Sequence, residues 1–139
     1  MITVYQGVAH PWLCDVMGHM TTRHYVAMFD DASYHFLNKA FGWSPGEAGG
    51  PGWADVKHTI DYQDEIAAGD LLEVRGALEK IGGKSVTIRY EMHNLSKGNV
   101  AATLQSISVY FDLTARKAIA IPDELRAQAE PFVEASSDG

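Results

Sequence analysis

The chain has 139 residues, of which 46% are hydrophobic and 21% charged, the size and composition of one globular domain with a sizeable core. A formal net charge of −7 argues against a general nucleic-acid binder, because phosphate contacts need clustered Lys and Arg. An anionic small ligand needs only a local basic patch and is not excluded. Cys14 is the single cysteine, so no internal disulfide forms. The N-terminal residues hold no basic segment followed by an apolar run, and no stretch reaches the roughly 18–20 apolar residues of a membrane span. The expectation is a cytoplasmic protein without a membrane or nucleic-acid partner, one domain over residues 1–133 and a frayed tail over 134–139.

Residues 2–9, with Ile2, Val4, Tyr5 and Val8, predict a strand that Pro11 ends by removing a backbone donor. A loop follows over 12–20. From residue 21 or 22 to about 41, Tyr25, Phe29, Ala32, Phe36 and Ala40 recur at steps of three or four. Val26, Ala27, Met28, Leu37 and Phe41 widen that stripe, so the helix is expected to be buried on most sides. Either Thr21 or Thr22 supplies its N-cap and Gly42 its stop. Residues 44–52, with Pro45, Gly46, Gly49, Gly50, Pro51 and Gly52, form a connection long enough to serve as a lid or a plain crossover.

Four strand-like runs come next. Residues 53–62 place Val56, His58, Ile60 and Tyr62 on one side, and residues 71–81 form the second run. Residues 85–95 put Val86, Ile88, Tyr90 and Met92 opposite Thr87, Arg89 and Glu91, and residues 100–113 form the fourth. Gly69-Asp70, Gly82-Gly83 and Lys97-Gly98-Asn99 separate them as hairpin turns. Pro122 opens a short helix to about residue 132. The order predicts an α+β domain, an antiparallel sheet of about five strands packed on one long helix.

Several chemistries lack their signatures. The histidines are His10, His19, His24, His35, His58 and His93, and none stands in an H-E-x-x-H pattern, nor is there a C-x-x-C. No metal site is expected. There is no G-x-S-x-G elbow and no phosphate-binding G-x-x-x-x-G-K-[ST] loop. Asp15 stands in a loop just before the long helix, where a carboxylate serves either as a turn cap or as a general base or nucleophile.

Asp15 and Gly18, then Tyr25 and Asp30-Asp31-Ala32-Ser33 on the helix, then Ile60-Asp61-Tyr62, Ala68-Gly69-Asp70, Lys84-Ser85 and Val109-Tyr110-Phe111-Asp112, form an ordered set. This set resembles the hotdog superfamily, in the branch that includes the 4-hydroxybenzoyl-CoA thioesterases, and the resemblance runs from about residue 4 to residue 125. It implies a hotdog fold, in which a long central helix is wrapped by a curved antiparallel sheet. It also implies hydrolysis of an acyl-CoA to free acid and CoA, with no cofactor because CoA is part of the substrate. Self-association as a homodimer or homotetramer, with the site at the subunit interface, is implied as well.

On that resemblance Asp15 is the base or nucleophile, and the helix-start amides around Thr22 hold the developing oxyanion. Gly18 lets the backbone approach the thioester, and His19 orients a water or donates to the thioester oxygen. Tyr25 packs near the substrate, and Asp30, with Asp31 beside it, contacts a hydroxyl of the acyl group. His58-Thr59 and Lys84-Ser85 face Asp15 across the subunit boundary, with Lys84 on a CoA phosphate. Thr22 and Arg23 stand where many relatives have asparagine, which leaves the shape of the acyl pocket open. Two other functions fit the same fold. One is hydration or dehydration of an acyl thioester by His19 with Asp30 or Asp31, and the other is a non-catalytic acyl-CoA-binding module.

Overall fold

The computed structural model describes residues 1–45 and 50–134. Residues 46–49, within the expected lid, and 135–139, within the expected tail, lie outside the described residues. The strands are β1 (Ile2–Val8), β2 (Pro51–Tyr62), β3 (Leu71–Ile81), β4 (Ser85–Asn94), β5 (Asn99–Asp112) and β6 (Lys117–Ala118). The helices are α1 (Thr22–Phe41) and α2 (Asp123–Ala129). All strand pairs are antiparallel, in the order β1-β3-β4-β5-β2, with the two-residue β6 hairpinned onto β5. The five long strands match the expectation, and β6 is an addition to it. Among the described residues no helix is long and apolar enough to cross a membrane.

The period-2 pattern of β4 is clean. Val86, Ile88, Tyr90 and Met92 are buried toward α1, and Thr87, Arg89 and Glu91 lie on the outer face. Onto the inner face α1 lays Tyr25, Met28, Phe29, Ala32, Phe36, Leu37, Ala40 and Phe41. Fully burying one side chain such as Phe36 contributes roughly 1.5–3 kcal/mol. Phe36 meets Tyr90 edge-on at 5.9 Å and Phe132 at 6.2 Å.

α1 is expected to be buried on most sides, and it buries one broad face. Val26, Ala27, Asp30, Asp31 and Tyr34 are exposed, and the strands against which α1 chiefly rests are β1 and β3. Thr21 is the N-cap residue, yet its hydroxyl donates to Leu13 O at 3.2 Å and caps nothing. Gly42 ends the helix in the left-handed conformation (φ 65°), its N–H on Asn38 O at 2.8 Å. Residue 134, the first of the expected tail, is held by both its backbone and its side chain. The Glu134 N–H donates to Leu78 O at 2.8 Å, and its carboxylate pairs with the Met1 ammonium.

The connection from β2 to β3 is pinned by Asp64. Its carboxylate accepts from Asn99 Nδ2 at 2.7 Å, Lys97 Nζ at 3.3 Å and the Glu65 N–H at 2.9 Å. These donors, Asn99 first, hold its carboxyl below the usual carboxylate range. A depressed folded-state pKa adds stability above the unfolded-state value, and this is lost as pH falls through the folded value. Asp64→Asn should therefore lower the thermal midpoint at pH 7, and the difference from the parent should shrink below about pH 4. A pH series of melting curves checks this. In β3, a Cβ on Gly76 would meet Phe36 Cδ2 at 3.0 Å and Tyr90 Cδ1 at 3.1 Å. Gly76→Ala should thus cost on the order of 1–3 kcal/mol through overpacking, read as a lower denaturation midpoint.

Candidate active site

Between β1 and α1 the chain makes a small closed loop. A 3₁₀ turn over Pro11–Leu13 leads to an antiparallel bridge between Cys14 and Met20. Inside it, the Asp15 N–H donates to His19 O at 2.9 Å, and the Gly18 N–H donates to Asp15 O at 3.0 Å. Asp15 Oδ1 accepts the Met17 N–H at 2.8 Å and the His19 N–H at 3.4 Å. The carboxylate therefore does cap its own turn, while its second oxygen has no hydrogen-bond donor among the described residues. Gly18 sits at φ +82°, and a Cβ there would meet nothing within 4 Å. What demands glycine is thus the left-handed turn, not a crowded neighbour.

The loop is docked against the β2–β3 connection. The Met20 N–H donates to Ile66 O at 2.8 Å, His19 bridges Ala67, and His19 Nε2 lies 3.1 Å from Glu65 Oε2. The partner of His19 is thus Glu65. The pairing with Asp30 or Asp31 that the hydration or dehydration alternative would use does not form, because those residues lie two turns along α1. Tyr25 is buried, edge-on to Tyr62 at 5.1 Å, with its hydroxyl donating to Asp64 O at 3.4 Å. Burial, then Tyr62 and Asp64, push its phenol pKa up, so it remains a donor. A cavity of about 480 Å³ opens here, with Met17, His19, Thr22, Tyr25, Tyr62 and Glu65 among its walls. Asp15 is not part of that lining. The Thr22 and Arg23 amides at the start of α1 have no intrahelical acceptor.

From this cavity a groove runs between α1 and β2. The register sets the side of β2 that faces it. Tyr62, Ile60, His58, Asp55 and Trp53 stand opposite the buried β5 residues Ala102, Leu104, Ser106, Ser108 and Tyr110. The register shifts between Asp55 and Lys57, so Val56 is an extra, bulged residue, 61% exposed. Val56 therefore leaves the face on which alternation puts it, and Asp55 takes that place beside His58. His58 Nε2 lies 3.4 Å from Asp55 Oδ2. Asp55 Oδ1 accepts from the hydroxyls of Ser108, closely, and of Ser106 at 3.5 Å. Aromatic pairs join α1 to β2 at the two ends of the groove, Tyr25 with Tyr62 and Phe41 with Trp53 at 4.7 Å.

Asp30 lies midway along the groove. With Ser33, Tyr34, Leu37, Trp43, Trp53 and Asp55 it encloses a cavity of about 70 Å³. Trp53 Nε1, in its wall, and the buried Tyr90 Oη have no hydrogen-bond partner among the described residues. Beyond, Phe41, Trp43, Pro51, Tyr110, Leu113 and Leu125 are among the walls of a further, more apolar cavity of about 520 Å³.

The remaining expected residues lie elsewhere. Thr59 pairs with Gln105 and is on the outer face of the sheet, opposite to His58, in a polar hollow with Asp61, Glu79 and Arg89. Lys84 and Ser85 belong to the β3–β4 hairpin, where Ser85 pairs with Val109 and Lys84 O accepts the Tyr110 N–H at 2.8 Å. That hairpin is at the Trp53 end of the sheet, opposite the Asp15 end. Within one chain, then, the fold gathers Gly18, His19, Thr22 and Tyr25 near Asp15 and joins Asp30 to the His58 side of β2, while Thr59, Lys84 and Ser85 are apart. Glu65 and Asp55 escaped the sequence reading. No local pattern marks Glu65, and only the bulge brings Asp55 to the inner face.

Comparisons with known proteins point to one family. Residues 9–129 match the family model of the thioesterase-like superfamily. The chain is 26% identical over 119 residues to the long-chain acyl-CoA thioesterase FadM of Escherichia coli strain K12, covering 86% of this chain and 90% of that protein. It is 29% identical over 122 residues to the L-carnitine dehydrogenase/betainyl-CoA thioesterase of Rhizobium meliloti strain 1021, covering 86% of this chain but only 24% of that longer protein. Among solved structures, the probable thioesterase YbaW from Escherichia coli superposes with a TM-score of 0.80 at 25% identity, covering 94% of this chain and 98% of that one. A Staphylococcus aureus protein solved in complex with CoA shares the fold, with a TM-score of 0.84 at 14% identity, covering 99% of this chain and 90% of that one. The chain belongs to the thioesterase-like superfamily, as a thioester hydrolase of the hotdog fold.

Proposed function

We propose that the protein hydrolyses acyl-CoA thioesters, with Asp15 as general base or nucleophile and the first amides of α1 as the oxyanion hole. The observation that carries this reading is the Asp15 turn. Its N–H donors fix one carboxylate oxygen and leave the other without a donor, directly before the free amides and positive end of a 20-residue helix. A carboxylate held that way can take a proton from water or attack a carbonyl, and the amides lie ready for the charge that develops. His19, tied to Glu65, borders the same cavity as an accessory group that orients water or substrate.

The second half of the site comes from a partner copy. The outer edge of β2 is unpaired along 12 residues, and Val56 and Tyr62 are exposed on it. An unpaired edge of this length is a template for strand addition. Two-fold, edge-to-edge pairing of β2 with itself reverses the partner, so the Lys84–Ser85 hairpin of that copy comes to the Asp15 end. There Lys84 would meet the phosphates of CoA. The FadM and betainyl-CoA relatives act on very different acyl groups, so the residues of the groove decide which one this chain takes.

Asp15→Asn keeps an oxygen for the Met17 and His19 amides and so preserves the turn while removing the base. It should lower kcat by on the order of 100-fold or more at an unchanged thermal midpoint, measured by thiol release from an acyl-CoA panel. Activity near the parent level would remove Asp15 from the chemistry. Light scattering should show a homodimer or a larger even assembly, and a fully active monomer would rule out the shared site.

A further inference from the structure

We infer that Glu65 is a positioning residue for the hydrolysis: it keeps the ring proton of His19 on Nε2 and leaves Nδ1 as a hydrogen-bond acceptor for the attacking water. This rests on the acyl-CoA hydrolase reading and selects one of the two roles open to His19.

Among the described residues, His19 is engaged at every polar atom but one. Its N–H donates to Asp15 Oδ1 at 3.4 Å, and its C=O accepts the Asp15 N–H at 2.9 Å. Its ring Nε2 lies 3.1 Å from Glu65 Oε2. A bare nitrogen lone pair is repelled by a carboxylate oxygen at that distance, so Nε2 carries a proton. In a neutral imidazole one nitrogen donates and the other accepts, and the partner of the first decides the second. Nδ1 is therefore the acceptor. It can hold a water by one O–H while Asp15 takes the other proton, or hold the water that attacks an acyl group on Asp15. A neutral ring in this form cannot donate to the thioester oxygen from Nδ1, which removes the other role.

The Glu65 side chain is 69% exposed, and an isolated surface pair of this kind contributes little. Here the main chain supplies the order. The Glu65 N–H donates to Asp64 Oδ1 at 2.9 Å, and its C=O accepts from Lys97 Nζ at 2.9 Å. Across from it, His19 forms an antiparallel bridge with Ala67, and the Met20 N–H donates to Ile66 O at 2.8 Å. The two backbones are thus fixed relative to each other, and only side-chain torsions remain to be set. Both residues line the cavity of about 480 Å³ beside Thr22. The other titratable groups on that cavity are Tyr25, Tyr62 and Asp64. Asp64 is taken up by Asn99 and Lys97, and the Tyr25 hydroxyl by Asp64 O. Glu65 is the carboxylate left to set the ring.

Glu65→Gln tests this, because the amide NH2 can donate to Nε2 and drive the ring proton to Nδ1. Long-range 1H–15N spectra of the parent at about pH 9, where an ordinary histidine is neutral, should show His19 protonated on Nε2. The same spectra of Glu65→Gln should show the Nδ1-protonated form gaining population. Thiol release from the acyl-CoA panel should show kcat lowered about tenfold, as expected for a wrong tautomer at a solvent-exposed pair, with KM and the melting midpoint unchanged. In a His19→Ala background the substitution should lower kcat no further, since Glu65 acts only through the ring. An Nδ1-protonated ring in the parent, parent-level kcat in Glu65→Gln, or equal losses with and without His19 would overturn the assignment. No thiol release by the parent from any acyl-CoA would instead strike the hydrolase reading, and the spectra would then decide the ring assignment alone.

Discussion

The packing of Phe29 and Phe36 from α1 onto Tyr90 and Gly76 of the sheet is the contact on which the rest of the molecule depends. A methyl group on Gly76 would press on these rings at 3.0–3.2 Å, so the height and azimuth of α1 over the sheet are set closely. Interiors this dense move as units and do not yield locally. Once α1 is fixed there, its N-terminus must meet the loop from residue 15 to residue 20, and Thr22 comes to the wall of the cavity beside His19.

The same contact makes the helix asymmetric. α1 settles on β1 and β3 and touches β2 through aromatic pairs at its two ends. The gap in between holds a cavity walled on one side by Asp30, Ser33, Tyr34 and Leu37 and on the other by Trp53 and Asp55. A helix with apolar residues on that many faces has more surface than one sheet can cover. The surplus lies along the groove and along the free edge of β2, where substrate and a second copy would cover it.

Electrostatics sharpen the division of labour along the groove. At one end a carboxylate is tied by backbone amides before a positive helix end, an arrangement suited to chemistry on a polar thioester. Further along, Asp30 and Asp55 stand among aromatic rings, with His58 beside Asp55, an arrangement suited to recognition.

Much of this was legible in the sequence, because much of it is local. The period of three and four from Tyr25 to Phe41, the alternation of β4, the stop at Gly42 and the turn glycines each depend on neighbours a few positions away. The Asp15 to His19 stretch was also legible, since a tight turn before a helix is written in adjacent residues. The folded chain decided what adjacency cannot carry. The bulge at Val56 turned Asp55 inward, the docking of the β2–β3 connection gave His19 to Glu65 and not to Asp30, and the open side of α1 contradicted its apolar pattern. Strand register and helix placement balance contacts far apart in the chain, so the sequence by itself determined the elements and the turn that holds Asp15, and tertiary packing alone determined which side chains share the cavities beside α1.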